Sequence, residues 1–162
     1  LDINNLALCK MGMYQLNNNV PDNIKAFIKC IGLNKINSQD IAWEISPRLN
    51  ACGRMNNIYL AANFFFCYDT LTAKELALEI EEINQRRKEL TKKIMKEVEE
   101  VNFDNHMVCI YYNKNITAGL TGIIASRIAD KYNKPAIVLS KRDDDILSGS
   151  TRSANEIGRA HV

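Results

Sequence analysis

The sequence predicts an α/β protein with an N-terminal helical segment, a long connecting helix and a small β-α-β-β unit whose sheet is largely parallel. Three observations lead there. Residues 1–70 are punctuated by closely spaced helix starters and stops. From Thr72 to Val101 an amphipathic stretch of 30 residues runs without Gly or Pro. Beyond Asn102, short β-branched and aromatic runs flank one helix-like stretch.

In chain order, Asp2 or Asn4 is placed to cap a helix carrying Ile3, Leu6, Ala7, Leu8 and Met11. Pro21 fits a first helical position ahead of Ile24, Phe27, Ile28 and Ile31, and Gly32 fits the stop. Ser38 reads as the cap of Gln39 to Ile45. Pro47 is expected to end that piece by disfavouring helical geometry at Ser46, with a new segment from about Asn50 through Leu60 to Tyr68. Thr72 with Glu75 reads as a capping box for the long helix. Leu76, Ile80, Ile83, Leu90, Ile94, Val98 and Val101 mark its apolar face, interrupted by Arg87. At 1.5 Å per residue such a helix is about 45 Å long, more than one small domain covers. A spacer between two bodies is therefore expected, with a coiled-coil dimer as the competing reading. Met107 to Tyr112 and Pro135 to Ser140 read as parallel strands about a helix from Gly119 to Tyr132, and Ile146 to Thr151 as a third strand. Asp143, Asp144 and Asp145 suit a solvated turn before it, with a cation site as the other reading. Domain boundaries are expected at 1–70, 71–102 and 103–162.

Composition excludes some functions. The net charge of +2 makes a polycation untenable, so any nucleic-acid contact must come from a local patch. No apolar run approaches the roughly 20 residues of a membrane span, and a cytoplasmic protein without membrane contact is expected. Five scattered cysteines without a C-x-x-C pair, and only His106 and His161 as imidazoles, fit reduced packing residues better than a zinc site.

Two clusters combine arginine with small residues, Pro47-Arg48-Leu49-Asn50-Ala51-Cys52-Gly53-Arg54 and Ser148-Gly149-Ser150-Thr151-Arg152-Ser153. Small side chains let a backbone approach a ligand, and a guanidinium fork matches phosphate oxygens. Arginines so placed are also common as surface or carboxylate-paired residues.

PRLNACGRM resembles the PRLNAAGRM-type motif of RecJ exonucleases, in the DHH phosphoesterase superfamily. LDINNLAL followed by MGMYQLN is similar to the segment that leaves their catalytic domain, and EEINQRR to the start of their connecting helix. GLTGIIASRIADKYNKPAIVLS is similar to their glycine-rich helix and following strand, and LSGSTRS to their GSxRS strand end. The resemblance covers nearly the whole chain in the family's order. It implies the helical tail of a DHH domain, the connecting helix and the first part of the DHH-associated nucleic-acid-binding domain.

On individual residues, the resemblance implies that Ser150 and Arg152, with Gly149 beside them, hold phosphate at a 5′ end of single-stranded DNA. It also implies that Arg54, and with it Arg48, faces the same cleft, with Asn50 as a companion. Helix capping and an interdomain salt bridge are the alternative roles of Asn50 and Arg48. Gly119 and Gly122 either bring a helix N-terminus to the ligand or serve tight helix-to-sheet packing. Ile116 and Thr117 stand where the family has the Trp and His of its WHxGV motif, which puts any role of that histidine in doubt here.

The implied activity is that of a 5′-3′ single-stranded-DNA-specific exonuclease in repair and recombination, using Mn2+ or Mg2+. The aspartates and DHH motif that hold those ions lie upstream in the family, in a catalytic domain of the same polypeptide missing from this sequence. The chain alone is expected to hold no metal, bind weakly and cut nothing. Gly158-Arg159-Ala160-His161 matches the family's Gly-Gly-His motif poorly. The alternatives are a DHH-family phosphodiesterase for oligonucleotides or cyclic dinucleotides, and a non-catalytic nucleic-acid-binding module.

Overall fold

The computed structural model describes residues 2–142 and 146–154. The turn expected at Asp143 to Asp145 and the 158–161 segment lie outside them. The chain folds as two compact units that divide between Arg86 and Arg87, inside the long helix rather than at either of its ends.

The first unit is helical. Helix α1 (Ile3–Asn18) is capped by Asp2, which accepts from the Asn5 amide at 2.8 Å. Most of its apolar residues stay in solvent, Ile3, Leu8 and Met11 among them, while Met13 and Leu16 are half-buried. Asn17 ties its end down by exchanging side-chain hydrogen bonds with the backbone of Ile36. Helix α2 (Asp22–Cys30) starts after Pro21 at the cap position and ends before Gly32, whose φ of 73° suits glycine.

The next stretch departs from expectation. Asn37, not Ser38, is the cap, in a reciprocal capping box with Asp40 around the single turn α3 (Ser38–Asp40). Pro47 does not end the helix. Ser46 is helical at φ −60°, ψ −40°, and Pro47 lies inside the first turn of α4 (Ser46–Arg54). A π-turn, Ile41–Ile45, makes this work: the Ser46 amide bonds to Ile41 O, five residues back. The widened turn admits the proline ring at a point where an α ladder would lose a hydrogen bond and clash.

Helix α5 (Ile58–Phe65) follows, and Asn23 Nδ2 donates to the carbonyls of Phe64 and Phe65 at its end. Phe27, Cys52, Leu60, Phe64, Ala77 and Ile80 form the core of this unit, with the Phe27 and Phe64 rings 5.3 Å apart.

Helix α6 (Thr70–Glu99) is 30 residues long. It starts two residues before the expected Thr72, because Asp69 Oδ2 accepts from the Thr72 amide at 2.7 Å and acts as the cap. Its buried positions are Ala73, Ala77, Ile80, Asn84, Thr91, Ile94 and Val98, a seam at spacings of three, four and seven that includes two polar residues.

The second unit holds β1 (Cys109–Tyr112), α7 (Ala118–Tyr132), β2 (Ala136–Lys141) and β3 (Leu147–Arg152). The sheet order is β1-β2-β3, with β1 and β2 parallel as expected and β2 and β3 antiparallel. Leu120, Ile124, Ala125, Ile128 and Ala129 give α7 its buried face, and Cys109, Ala136 and Val138 are the buried sheet residues. Ile116, one of the two departures from the family motif, is buried. No helix among the described residues is long and apolar enough to cross a membrane.

Candidate functional site

The two arginine-containing clusters lie in different units and differ in what their arginines do. In α4, Arg48 is almost enclosed, with 11% of its side chain exposed. Its Nε donates to Glu81 Oε2 at 2.5 Å, and its Nη1 donates to Glu44 Oε2 at 2.6 Å and to Glu44 O at 2.7 Å. Burial works against the guanidinium charge, but the hydrogen bonds to Glu44 and Glu81 outweigh it and raise the Arg48 pKa. The guanidinium therefore straps the π-turn and α4 to α6. The salt bridge expected of Arg48 forms within the first unit rather than between bodies.

The neighbours of Arg48 divide by helical phase. Ala51 and Cys52 are buried, and burial pushes the Cys52 thiol up, so it stays protonated and packs. Asn50 is exposed on the opposite side of the turn, and Arg54 is half-buried at the end of α4.

In the second unit, the end of β3 passes over the first turns of α7. A Cβ placed on Gly122 would stand 3.2 Å from Arg152 Nη2 and 3.5 Å from Ser150 Oγ. One point on the α7 surface thus has a guanidinium nitrogen and a hydroxyl within 4 Å. Any side chain at 122 would enter that space, which gives this glycine a reason beyond helix-to-sheet packing. Arg152 Nη1 donates to Thr151 O at 2.7 Å, and among the described residues no carboxylate pairs with Arg152.

Gly149 has a different explanation. It pairs with Leu139, and a Cβ there would lie 2.1 Å from Val138 O and 2.8 Å from a Leu139 methyl. Strand β2 itself requires a glycine at this position. Thr121, which the sequence reading passed over, is 2% exposed and sits under Ser150, with 2.9 Å between the two hydroxyl oxygens. A threonine inside a helical apolar pattern reads as ordinary packing, so only the three-dimensional pairing reveals it.

The donor set for a divalent cation does not fit these residues. Among the described residues no three His, Cys, Asp or Glu side chains gather in a group that could hold a metal ion. The arrangement offers a guanidinium and a hydroxyl, the donor types suited to an anion.

No family model matches the chain. It is 29% identical over 154 residues to the single-stranded-DNA-specific exonuclease RecJ of Haemophilus influenzae, covering 90% of this chain and 25% of that protein. It is 30% identical over 156 residues to the RecJ of Bacillus subtilis, covering 92% of this chain and 20% of that protein. In fold it matches the crystal structure of RecJ from Thermus thermophilus in complex with Mg2+, with a TM-score of 0.76 at 22% identity, over 84% of this chain and 22% of that one. A Mn2+ complex of the same protein matches with the same score. The chain thus spans a quarter or less of the length of these relatives.

Proposed function

We propose that this RecJ-type segment supplies the grip on a terminal phosphate in a single-stranded-DNA-specific exonuclease, with Arg152 and Ser150 as its contacts. The observation that carries the reading is their convergence over Gly122, with Arg152 free of any carboxylate among the described residues. A guanidinium and a hydroxyl so disposed reach two oxygens of one tetrahedral phosphate. Arg48, by contrast, is occupied by Glu44 and Glu81 and acts by holding α4 in place. Arg54 and Asn50 remain candidates for contacts along the nucleic-acid backbone, and Gly149 serves through the close strand pairing it allows.

In this reading, divalent metal chemistry with Mn2+ or Mg2+ belongs to a DHH catalytic domain elsewhere in the polypeptide, and cleavage from a 5′ end is the whole enzyme's activity. Residues 1–70 are then the helical tail of that catalytic domain, 71–102 the connecting helix and 103–162 the start of the nucleic-acid-binding domain. Repair and recombination in the cytoplasm are the proposed setting.

The experiment is a titration of single-stranded oligonucleotides carrying either a 5′-phosphate or a 5′-hydroxyl. Arg152→Ala should weaken the phosphorylated strand by about 1.5–3 kcal/mol, the range for hydrogen bonds to charged groups, and leave the other nearly unchanged. Equal loss on both strands would remove the assignment.

A further inference from the structure

The Ser150 hydroxyl does not stand alone: its partner is Thr121, and a hydroxyl has a single proton to give. Thr121 Oγ1 lies 2.8 Å from Ala118 O, a geometry in which Thr121 donates, and 2.9 Å from Ser150 Oγ. With the Thr121 hydroxyl donating to the Ala118 carbonyl, the bond between the hydroxyls has Ser150 as donor. Ser150 then turns only lone pairs outward, the wrong polarity for a phosphate oxygen. If the Thr121 proton rotates to Ser150 Oγ, the Ser150 proton is released to point away from α7. Ala118 O is not orphaned by the exchange, because α-helical geometry aims the amide four residues on at it. No covalent bond changes, and each hydroxyl donates one hydrogen bond in either state once the ligand oxygen is in place.

We infer that Thr121 is a positioning residue for the grip: its buried hydroxyl switches between Ala118 O and Ser150 Oγ, and so sets whether Ser150 presents a proton to a phosphate monoester. The inference rests on the reading of Ser150 and Arg152 as phosphate contacts. Burial makes the relay specific, since at 2% exposure water does not take over the role of Thr121. A threonine serving only helix packing would have no bearing on which end group a DNA strand carries.

The test uses the 162-residue chain and labelled single-stranded oligonucleotides with 5′-phosphate or 5′-hydroxyl ends, read by fluorescence anisotropy as the ratio of the two affinities. Thr121→Val keeps the shape and removes the hydroxyl, and should lower the phosphate preference about 5- to 10-fold, as expected for one hydrogen bond. Thr121→Ser should restore the preference to within about twofold, because it returns the hydroxyl. In a Ser150→Ala background, Thr121→Val should change the ratio no further. If the valine variant melts at the assay temperature, Thr121→Ala replaces it, judged by the same ratio. A hydroxyl-free variant that keeps the full preference, while Arg152→Ala abolishes it, overturns the role of Thr121 and leaves the phosphate reading intact. A wild-type chain without preference, or Arg152→Ala that retains it, sinks the phosphate reading and this inference with it.

Discussion

Replacing Arg48 with Met separates a positioning role from ligand contact. Arg48 makes three hydrogen bonds, two of them to carboxylates of unequal exposure: 24% of the Glu81 side chain and 47% of the Glu44 side chain meet solvent. Removing one partner of a fully buried ion pair costs about 3–5 kcal/mol, through the charge left behind. An exposed pair is worth about 0.2–1 kcal/mol. Glu44 rehydrates when released, whereas Glu81 remains largely enclosed, so the Arg48–Glu81 pair sets the cost and about 2–3 kcal/mol is expected. Trp43, the single tryptophan, lies in the π-turn beside Glu44; it is 76% exposed, so unfolding is read as a loss of its fluorescence anisotropy rather than as a spectral shift, and it reports on this unit alone. With a urea m-value of about 1–3 kcal/mol/M, the Trp43 transition should fall by about 0.7–3 M. Adding Glu81→Gln should return part of the loss, because the main source is the carboxylate charge left with only the neutral Gln85 Nε2 donating to it. An unchanged Trp43 midpoint together with weakened binding of single-stranded DNA would refute this reasoning and place Arg48 on the ligand.

Gly149→Ala should destabilise the second unit by about 3 kcal/mol, the upper end for overpacking, since the obstacle is the Val138 carbonyl; thermal unfolding followed by far-UV circular dichroism checks it. Gly122→Ala meets the flexible end of Arg152 tightly and Ser150 Oγ only at ordinary contact distance, so helix propensity should raise stability by up to about 1 kcal/mol while phosphorylated-end affinity falls; a joint fall in both would contradict the geometry. The Asp69 carboxyl is held below its ordinary 3.8 by the amide and side chain of Thr72. Its stabilising effect is therefore present above that value and lost as pH falls through the lower folded-state pKa, and Asp69→Ala should flatten the acid limb of an α6 melting profile.

The elements with a clean period were legible in the sequence. The β-α-β order and its parallel pair followed from two apolar runs about a helical one, and the long helix from unbroken threes and fours. Two kinds of information were hidden. Apolar residues alone do not outline the α6 seam, because Asn84 and Thr91 occupy buried positions while Leu78 is exposed. Pro47 carried a rule about the residue before it that the π-turn overrides, and no local propensity announces a π-turn. At the site, Arg152 and Ser150 stood out by composition, whereas Thr121 acquires meaning only when β3 returns 29 residues later to lie over it. The identity of Arg48 was equally visible, but its acidic partner Glu81 lies 33 residues away.

The π-turn also constrains how this region tolerates change in length. It holds one residue more than an α turn would, and one residue corresponds to about 100° of rotation about the helix axis. Shortening Ile41–Ile45 by a single residue would let α geometry close, but α3 and α4 could no longer both keep their present faces. Either Ala51 and Cys52 would swing out of the core, or the Asn37–Asp40 cap would lose its place. The five-residue turn therefore acts as a phase shifter, making insertion or deletion here far more damaging than a conservative substitution at any one of its positions.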